Sequence, residues 1–460
     1  MKRNGLARTQ LLAVAALTGL LASCAAGPQP VPTPTPGSGG NSGTPAPGDP
    51  APATGPISYV SSGHAAMDAW RDDFSNRALA AGHDRALVES MLAGIEPIPL
   101  WLSPDVQVAG TGIGDQAEFA KPVWEYLRVP LGESRISGGK ARLSENPALF
   151  DALEARYGVD RQVLVSIWGM ETSYGAVIGS FDAPNVLANM AVEGRRRSFA
   201  EGELLATMKI VERGDADRDE LVAGWAGALG QTQFMPSTYL VFAEDFDGDG
   251  HKDVWKNEGD ALASAANYLK KSGYAMGQPW GLEVVVPAGF DFAMADGKER
   301  RMETWQAAGL APITGGPFNT GGADFAQLWL PAGAEGPKYL LFNNFKVFKT
   351  YNNADSYAFA VGMAGNAMIG RPGPATPWPT HLRPLSVADI KALQAGLNAK
   401  GFSAGPVDGI PGRQTKTALQ DFQKSQGLVA DGYPTREMLQ LVTGTGAGGV
   451  GISSATEGPS

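Results

Sequence analysis

After Asp160, the stretch up to Gly175 carries one carboxylate, Glu171, on an otherwise apolar helical stripe. The spacing of Val163, Ile167, Met170 and Tyr174 predicts a helix, with Asp160 as its N-cap and Gly175 as its stop. Glu171 falls four residues after Ile167 and so shares the face that must be buried. A fold built on this segment has to hide an acid inside packed helices. Desolvation and the negative end of the helix dipole both oppose ionisation there. The expected pKa is therefore raised towards that of a general acid usable near neutral pH. A buried structural glutamate gives the same pattern, so the stripe alone leaves both readings open.

Helical patterns dominate residues 64–280, at Met67–Ala81, Asp84–Leu92, Pro147–Tyr157, Phe199–Arg213, Pro236–Phe242 and Asp260–Lys271, and return at Ser356–Met368. Between them, Glu283-Val-Val-Val-Pro and Lys338-Tyr-Leu-Leu-Phe read as strands of a small β-containing insertion. The expected fold class is mainly α, in an α+β sense. The domains read as a signal peptide (1–23), a Pro/Gly-rich tether (24–60), a large, mainly helical domain (61–372), a linker (373–384), a compact module (385–442) and a disordered tail (443–460). Within the module, Ile390, Leu393 and Leu397 form one helical stripe and Thr415, Leu419 and Phe422 another. The segments Asp408-Gly409…Thr415…Leu419 and Asp431-Gly432…Thr435…Leu439 echo each other, each as a turn before a threonine-capped helix.

Composition narrows the chemistry. A formal charge of −10 without a basic stripe argues against nucleic acid as a partner. The four histidines lie far apart and form no HExxH pair, which argues against a zinc hydrolase. The single cysteine, Cys24, excludes an internal disulfide framework. It follows a basic n-region, an apolar run from Leu11 to Leu21, and Leu21-Ala-Ser, which resembles a bacterial lipobox. This predicts export, cleavage before Cys24 and lipidation of its thiol, leaving a membrane anchor without a spanning helix. An ordinary secretory signal with an incidental cysteine is the alternative. By resemblance to Gram-negative lipoproteins, Ala25 after the cysteine implies the periplasmic face of the outer membrane.

Four separated motifs carry a more specific resemblance. They are Ser166-Ile-Trp-Gly-Met-Glu-Thr-Ser-Tyr-Gly175, Gly224-Trp-Ala-Gly-Ala-Leu-Gly-Gln-Thr-Gln-Phe-Met-Pro-Ser-Thr-Tyr239, Asp245-Phe-Asp-Gly-Asp-Gly250 and Tyr351-Asn-Asn-Ala-Asp-Ser-Tyr357. In order and spacing they resemble the lytic murein transglycosylase B family, over roughly residues 64–370. The resemblance implies a lysozyme-like helical core. The C-terminal Asp-Gly…Gly…Thr…Phe-Gln…Gly-Leu…Asp-Gly pattern resembles a three-helix peptidoglycan-binding domain.

The resemblance implies that Glu171 is the sole catalytic acid and base on peptidoglycan glycan strands. The residues around it agree: Thr172, Ser173 and Tyr174 supply no second acid, and Gly-Gln-Thr-Gln-Phe is uncharged. Ordinary glycosidases need two carboxylates, whereas a transglycosylation that closes a 1,6-anhydro ring needs one. Gln233 matches a glycan-binding glutamine, or else is a core-loop amide. Tyr351, Asn352 and Tyr357, with Tyr126 and Tyr268, match groove residues, against a reading as aromatics that pack the helices. Arg195 and Arg196 match a pair that meets carboxylates, against a solvated Arg195–Arg197 run. Gly224 stands where serine is common in relatives, which leaves a hydroxyl contact there open.

Asp245, Asp247, Asp249 and Gly250 fit positions 1, 3, 5 and 6 of an EF-hand loop, His251 offers its carbonyl, and Asp253 holds position 9. Position 12 is Lys256, which cannot ligate, and the resemblance implies that Asp260 closes the loop instead. A structural Ca2+ is the expected occupant, against a solvated acidic turn. No organic cofactor is expected. Two further functions compete: a muramidase that uses water with the same Glu171, and a non-enzymatic wall-anchoring protein.

Overall fold

The computed structural model describes residues 55–102 and 121–445. The expected signal peptide, Cys24, most of the tether and the tail beyond 445 lie outside the described residues. These residues divide into one unit of 55–102, 129–277 and 344–371, and another of 121–128, 278–343 and 372–445. No helix among them is long and apolar enough to cross a membrane.

The first unit is built around the helix Arg161–Thr172, in which every residue from Val163 to Thr172 is buried. Burial on all sides, rather than along one stripe, means that helices surround it. Glu133–Glu145, Pro147–Tyr157, Glu258–Lys271 and Asp355–Met368 do so. Ala65–Ala80, Arg85–Leu92, Ala183–Glu193, Arg197–Glu212 and Pro236–Phe242 pack beside them. Local signals start and stop these helices: Asp182 accepts from Asn185 N at 3.0 Å, and Gly158 ends Pro147–Tyr157 in the left-handed region. The short strands β1 (Phe181–Asp182) and β2 (Val222–Ala223) pair antiparallel.

Two details differ from the sequence reading. Asp160 occupies the N-cap position, but its carboxylate accepts from the Tyr274 hydroxyl at 2.5 Å, and Glu154 Oε1 takes the Arg161 amide at 2.8 Å instead. The helix stops at Thr172, not Gly175, because Ser173 and Tyr174 turn left-handed, with φ of 52° and 63°.

Helices Arg161–Thr172 and Asp355–Met368 run antiparallel and unusually close. A Cβ on Gly365 would lie 2.7 Å from Gln162 O, and one turn on Ser166 Oγ donates to Val361 O at 2.8 Å. The next rung along the same seam is Glu171 against Tyr357.

The second unit holds two cores. Five antiparallel strands, β3 (Gly281–Val285), β4 (Glu299–Arg301), β5 (Ala311–Pro312), β6 (Phe325–Trp329) and β7 (Tyr339–Leu341), stand in the order β4-β6-β7-β3-β5. Leu282, Leu340 and Leu328 are in register across the centre, and Trp305 buries its ring beneath, donating Nε1 to Ala326 O at 2.9 Å. The C-terminal module is three helices, Val387–Ala399, Arg413–Ser425 and Arg436–Thr443, closed on Leu393, Leu397, Leu419, Phe422 and Val442. Thr435 caps its helix, but Thr415 lies inside one that starts after Gly412, with its hydroxyl donated to Ala404 O at 3.0 Å. The mainly helical expectation, with a β insertion and a three-helix C-terminal module, therefore holds.

Candidate active site

Glu171 is 4 % exposed, at the last turn of its helix, and its Oε1 accepts from the Tyr357 hydroxyl at 2.5 Å. Among the described residues of this unit, three other acids have side chains almost fully covered, and each has its own partners. Glu203 accepts from Ser237 N and Oγ, both at 2.8 Å; Asp260 accepts from two backbone amides; Glu193 pairs with Arg195.

Immediately after Glu171 the backbone is strained. Among the described residues only Ser173, Tyr174 and Gln233 combine a side chain with positive φ, and all three lie in the motifs that frame the acid. Each costs about 1–2 kcal/mol, so surrounding contacts must hold it. Tyr174 stands edge-on to Trp168 at 5.6 Å between centroids and gives its hydroxyl to Arg135 O. Thr172 Oγ1 donates to Gln231 O at 2.6 Å and accepts from Gly175 N at 3.0 Å. Trp168 Nε1 donates to Gln231 Oε1 at 3.0 Å, and Gln231 N donates to Val254 O at 2.8 Å. One residue, Gln231, thus ties the end of the Glu171 helix to the segment after the acidic loop.

Gln233 lies in the same loop, 3 % exposed, with Nε2 donated to Gly230 O at 2.8 Å and Ile178 O at 3.2 Å. Its amide is therefore oriented, and Oε1 is the atom left for a ligand. A Cβ on Gly224 would meet that oxygen at 2.7 Å, so glycine there leaves room for this placement. Beneath the loop, Tyr268 and Tyr351 pack with Phe234 as a buried aromatic cluster at 5.5–5.9 Å. Their hydroxyls bond to backbone, Tyr268 to Thr350 O at 2.7 Å and Tyr351 to Thr232 O at 2.9 Å. Asn352 is buried, its Oδ1 accepting from Ala354 N at 3.0 Å. Arg195 is exposed beside Glu193, and the Arg196 guanidinium lies 4.1 Å from the Phe199 ring centroid. Burial pulls the Arg196 pKa below its ordinary value, while Glu203 pushes it up. Tyr126 is buried in the second unit, in the helix Val123–Tyr126.

In the acidic loop, Asp245, Asp247 and Asp249 each bring one carboxylate oxygen within 4.8 Å of the others. Such an all-oxygen, anionic donor set suits a hard cation. Asp253 and Asp260 stand outside that group: Asp253 Oδ1 accepts from Trp255 N and Lys256 N, and Asp260 accepts from Phe246 N at 2.8 Å and Asp253 N at 2.9 Å. Asp260 therefore staples the two ends of the loop. Its burial raises its pKa, and the nearby charges of Asp247 and Asp245 act in the same direction. His251 is exposed and donates its backbone N to Asp249 Oδ1 at 2.8 Å.

Ser166, Trp168, Gln231 and Glu203 also support the site, and their roles are not legible in the sequence. Their roles are cross-helix or cross-loop bonds, which no spacing within one element signals.

Residues 66–366 match the transglycosylase SLT domain, and residues 386–442 match the putative peptidoglycan binding domain. SltB3 from Pseudomonas aeruginosa, in complex with NAG-anhNAM-pentapeptide, is similar with a TM-score of 0.77 at 41 % identity, covering 82 % of this chain and 99 % of that one. The Escherichia coli lytic transglycosylase Slt35 in complex with calcium gives 0.53 at 26 % identity, covering 65 % of this chain and 92 % of that one. Membrane-bound lytic murein transglycosylase B of Escherichia coli (strain K12) is 33 % identical over 216 residues, 46 % of this chain and 58 % of that relative's length. With the family match spanning most of the helical unit around Glu171, this chain belongs to the transglycosylase SLT domain family.

Proposed function

We propose that this protein is a peptidoglycan lytic transglycosylase in which Glu171 acts first as acid and then as base. The observation that carries the reading is one buried carboxyl, oriented by Tyr357, with the other covered acids of its unit bonded elsewhere. Loss of hydration favours the neutral carboxyl, the form that donates a proton. Glu171 protonates the oxygen that leaves C1 of N-acetylmuramic acid, and the sugar's acetamido group supports the electron-poor carbon. The carboxylate then takes the proton of the C6 hydroxyl as O6 bonds to C1. The products are a new glycan end and a 1,6-anhydro sugar, and Glu171 ends protonated as it began. Water is neither consumed nor needed as nucleophile. The SltB3 complex, which holds an anhydro-muramyl peptide, supports this outcome.

Gln233 Oε1, Asn352 and Tyr357 are the groups we assign to the sugar nearest Glu171, with Arg195 and Arg196 towards its acidic substituents and Tyr268 and Tyr351 shaping the groove from beneath. For Ca2+, the residues present fit: Asp245, Asp247 and Asp249 would hold it, and its charge would cancel their mutual repulsion. The calcium complex of Slt35 supports that assignment. We also place the protein on the periplasmic face of the outer membrane, anchored by lipid on Cys24, with the C-terminal module raising its effective concentration on the wall.

Digesting purified sacculi with the wild type and Glu171→Gln, then weighing the muropeptides, tests the reading. The expected result is products one water lighter than hydrolysed ends, and none from the variant. Reducing muramyl ends alone would show a muramidase, and a fully active variant would overturn the role of Glu171.

A further inference from the structure

The C-terminal module contains the same turn twice, and among the described residues only the second copy is hydrogen-bonded to the rest of its unit. In the first copy, Gln394 Nε2 donates to Asp408 Oδ1 at 2.9 Å, and Gly409 N donates to Gln394 Oε1 at 2.9 Å. In the second, Gln423 Nε2 donates to Asp431 Oδ1 at 2.8 Å, and Gly432 N to Gln423 Oε1 at 2.8 Å. The residue after each glycine donates its amide to the same aspartate oxygen, Ile410 at 2.8 Å and Tyr433 at 2.9 Å. Both glycines have positive φ and lie on the helix residues seven and three positions before the glutamine: Val387 and Lys391 under Gly409, Lys416 and Gln420 under Gly432.

The second copy holds two separate segments of its own unit. Asp431 Oδ2 accepts from Ala334 N at 2.8 Å, and Gln420 Nε2 donates to Phe292 O at 3.3 Å. The residue before that amide is Gly333, with φ of +69°; an L-type Cβ there would come within 2.6 Å of Asp431 Oδ2 and 2.9 Å of Tyr433 Cβ. Only glycine, or a residue of D configuration whose side chain leaves along the other Cα bond, fits above this turn.

In the first copy the corresponding surface is open. Asp408 Oδ1 is used as in its twin, while Oδ2 accepts no hydrogen bond among the described residues. Lys391 takes the place of Gln420, and Ile410, 50 % exposed, takes that of Tyr433. We propose that the turn Asp408–Gly409–Ile410 binds a peptide that presents an amide N–H after a D-residue, with Lys391 meeting the carboxylate that follows. Lysine in place of an amide suits an anionic terminus. In a wall polymer the matching ligand is the free end of a stem peptide, so the identification of the ligand rests on the peptidoglycan reading above.

Calorimetric titration of the full-length chain with N-acetyl-L-lysyl-D-alanyl-D-alanine, and with its all-L diastereomer, tests this. Asp408→Asn keeps Oδ1 and its turn contacts but replaces the free acceptor with a donor. We expect the D-peptide to bind, with at least tenfold weaker binding of the all-L peptide and at least tenfold weaker binding by Asp408→Asn. Lys391→Ala, an exposed change that leaves the fold alone, should weaken binding at least threefold. Equal binding of both diastereomers, wild-type affinity in both variants, or no binding by the wild type would each overturn the proposal. Anhydro products from wild-type digests alongside any of those results would leave the catalytic reading standing and remove this site alone.

Discussion

Tyr357 donates its hydroxyl to Glu171 Oε1 at 2.5 Å across two antiparallel helices that are bonded again one turn away, where Ser166 Oγ donates to Val361 O at 2.8 Å. The carboxyl we propose as the acid and base is thus oriented by the same seam that packs the unit. Tyr357→Phe removes one hydroxyl without changing the ring. We expect turnover on sacculi to fall by about tenfold to a hundredfold with KM within twofold, and the melting temperature to drop by an amount near 1 kcal/mol of lost stability. Unchanged turnover would mean that Glu171 is oriented without Tyr357.

Gly365 sets how near the two helices come. A Cβ there would press on Gln162 O at 2.7 Å, a backbone atom that cannot swing aside. Gly365→Ala should cost about 1–3 kcal/mol and also lower turnover, because separating the helices stretches the Glu171–Tyr357 bond. Gly202→Ala is the control: it lies in the interior of Arg197–Glu212 with no atom within 4 Å of the added carbon. That change should stabilise the protein by roughly 0.5–1 kcal/mol in urea melts. Equal destabilisation by both changes would refute the close-approach argument.

What the sequence revealed, and what it hid, follows from the range of the interactions. The Glu171 helix was legible because Val163, Ile167 and Met170 repeat at helical spacing, and all are buried. The acidic loop was legible because its oxygen donors are close in sequence. Glu133–Glu145 was not, since its Ser134, Ser137, Gly138 and Gly139 give little helical signal. That helix is fixed by packing, with Gly139 against Met368 and Gly138 against Tyr174. Strand β6 was missed for a related reason: its role is defined by partners β4 and β7, far away along the chain.

Gln231 receives Trp168 Nε1 through Oε1 and Thr172 Oγ1 through its backbone carbonyl, so it braces the turn that carries Glu171 from two sides. Gln231→Met keeps the length but leaves a buried indole N–H without its acceptor, a loss of about 1–3 kcal/mol. Turnover should fall while KM holds. Combining it with Trp168→Phe should cost less than the sum of the two changes, since both remove the same bond. Additive losses in chemical denaturation would show that the bond does not couple them.

The acidic loop predicts a stabilising response to calcium. Binding to the folded state alone contributes about 2.7 kcal/mol at a hundredfold excess over Kd, so the full chain should melt higher in millimolar Ca2+ than in chelator. Asp247→Asn, which removes one of three converging charges, should shrink that shift. A melting temperature indifferent to calcium would leave the loop as a hydrogen-bonded turn.

Glu203 gives the stability a pH dependence of definite sign. Burial holds its carboxyl above the ordinary value of 4.5, against the lowering effects of the Ser237 bonds and of Arg196. The folded protein therefore binds this proton more tightly than the unfolded chain does. The resulting stability is fully present below the unfolded value and is lost as pH rises through the folded one. Glu203→Gln cannot ionise, yet its carboxamide can accept from Ser237 N and donate to Ser237 Oγ, so the start of Pro236–Phe242 stays held. Between pH 4.5 and 7 the variant should therefore lose less stability than the wild type. Asp260, raised in the same direction, keeps some slope in both proteins. Urea unfolding of the two proteins across that range decides the matter. Parallel curves would mean that Glu203 titrates alike in the folded and unfolded chains, with the Ser237 bonds and Arg196 balancing its burial.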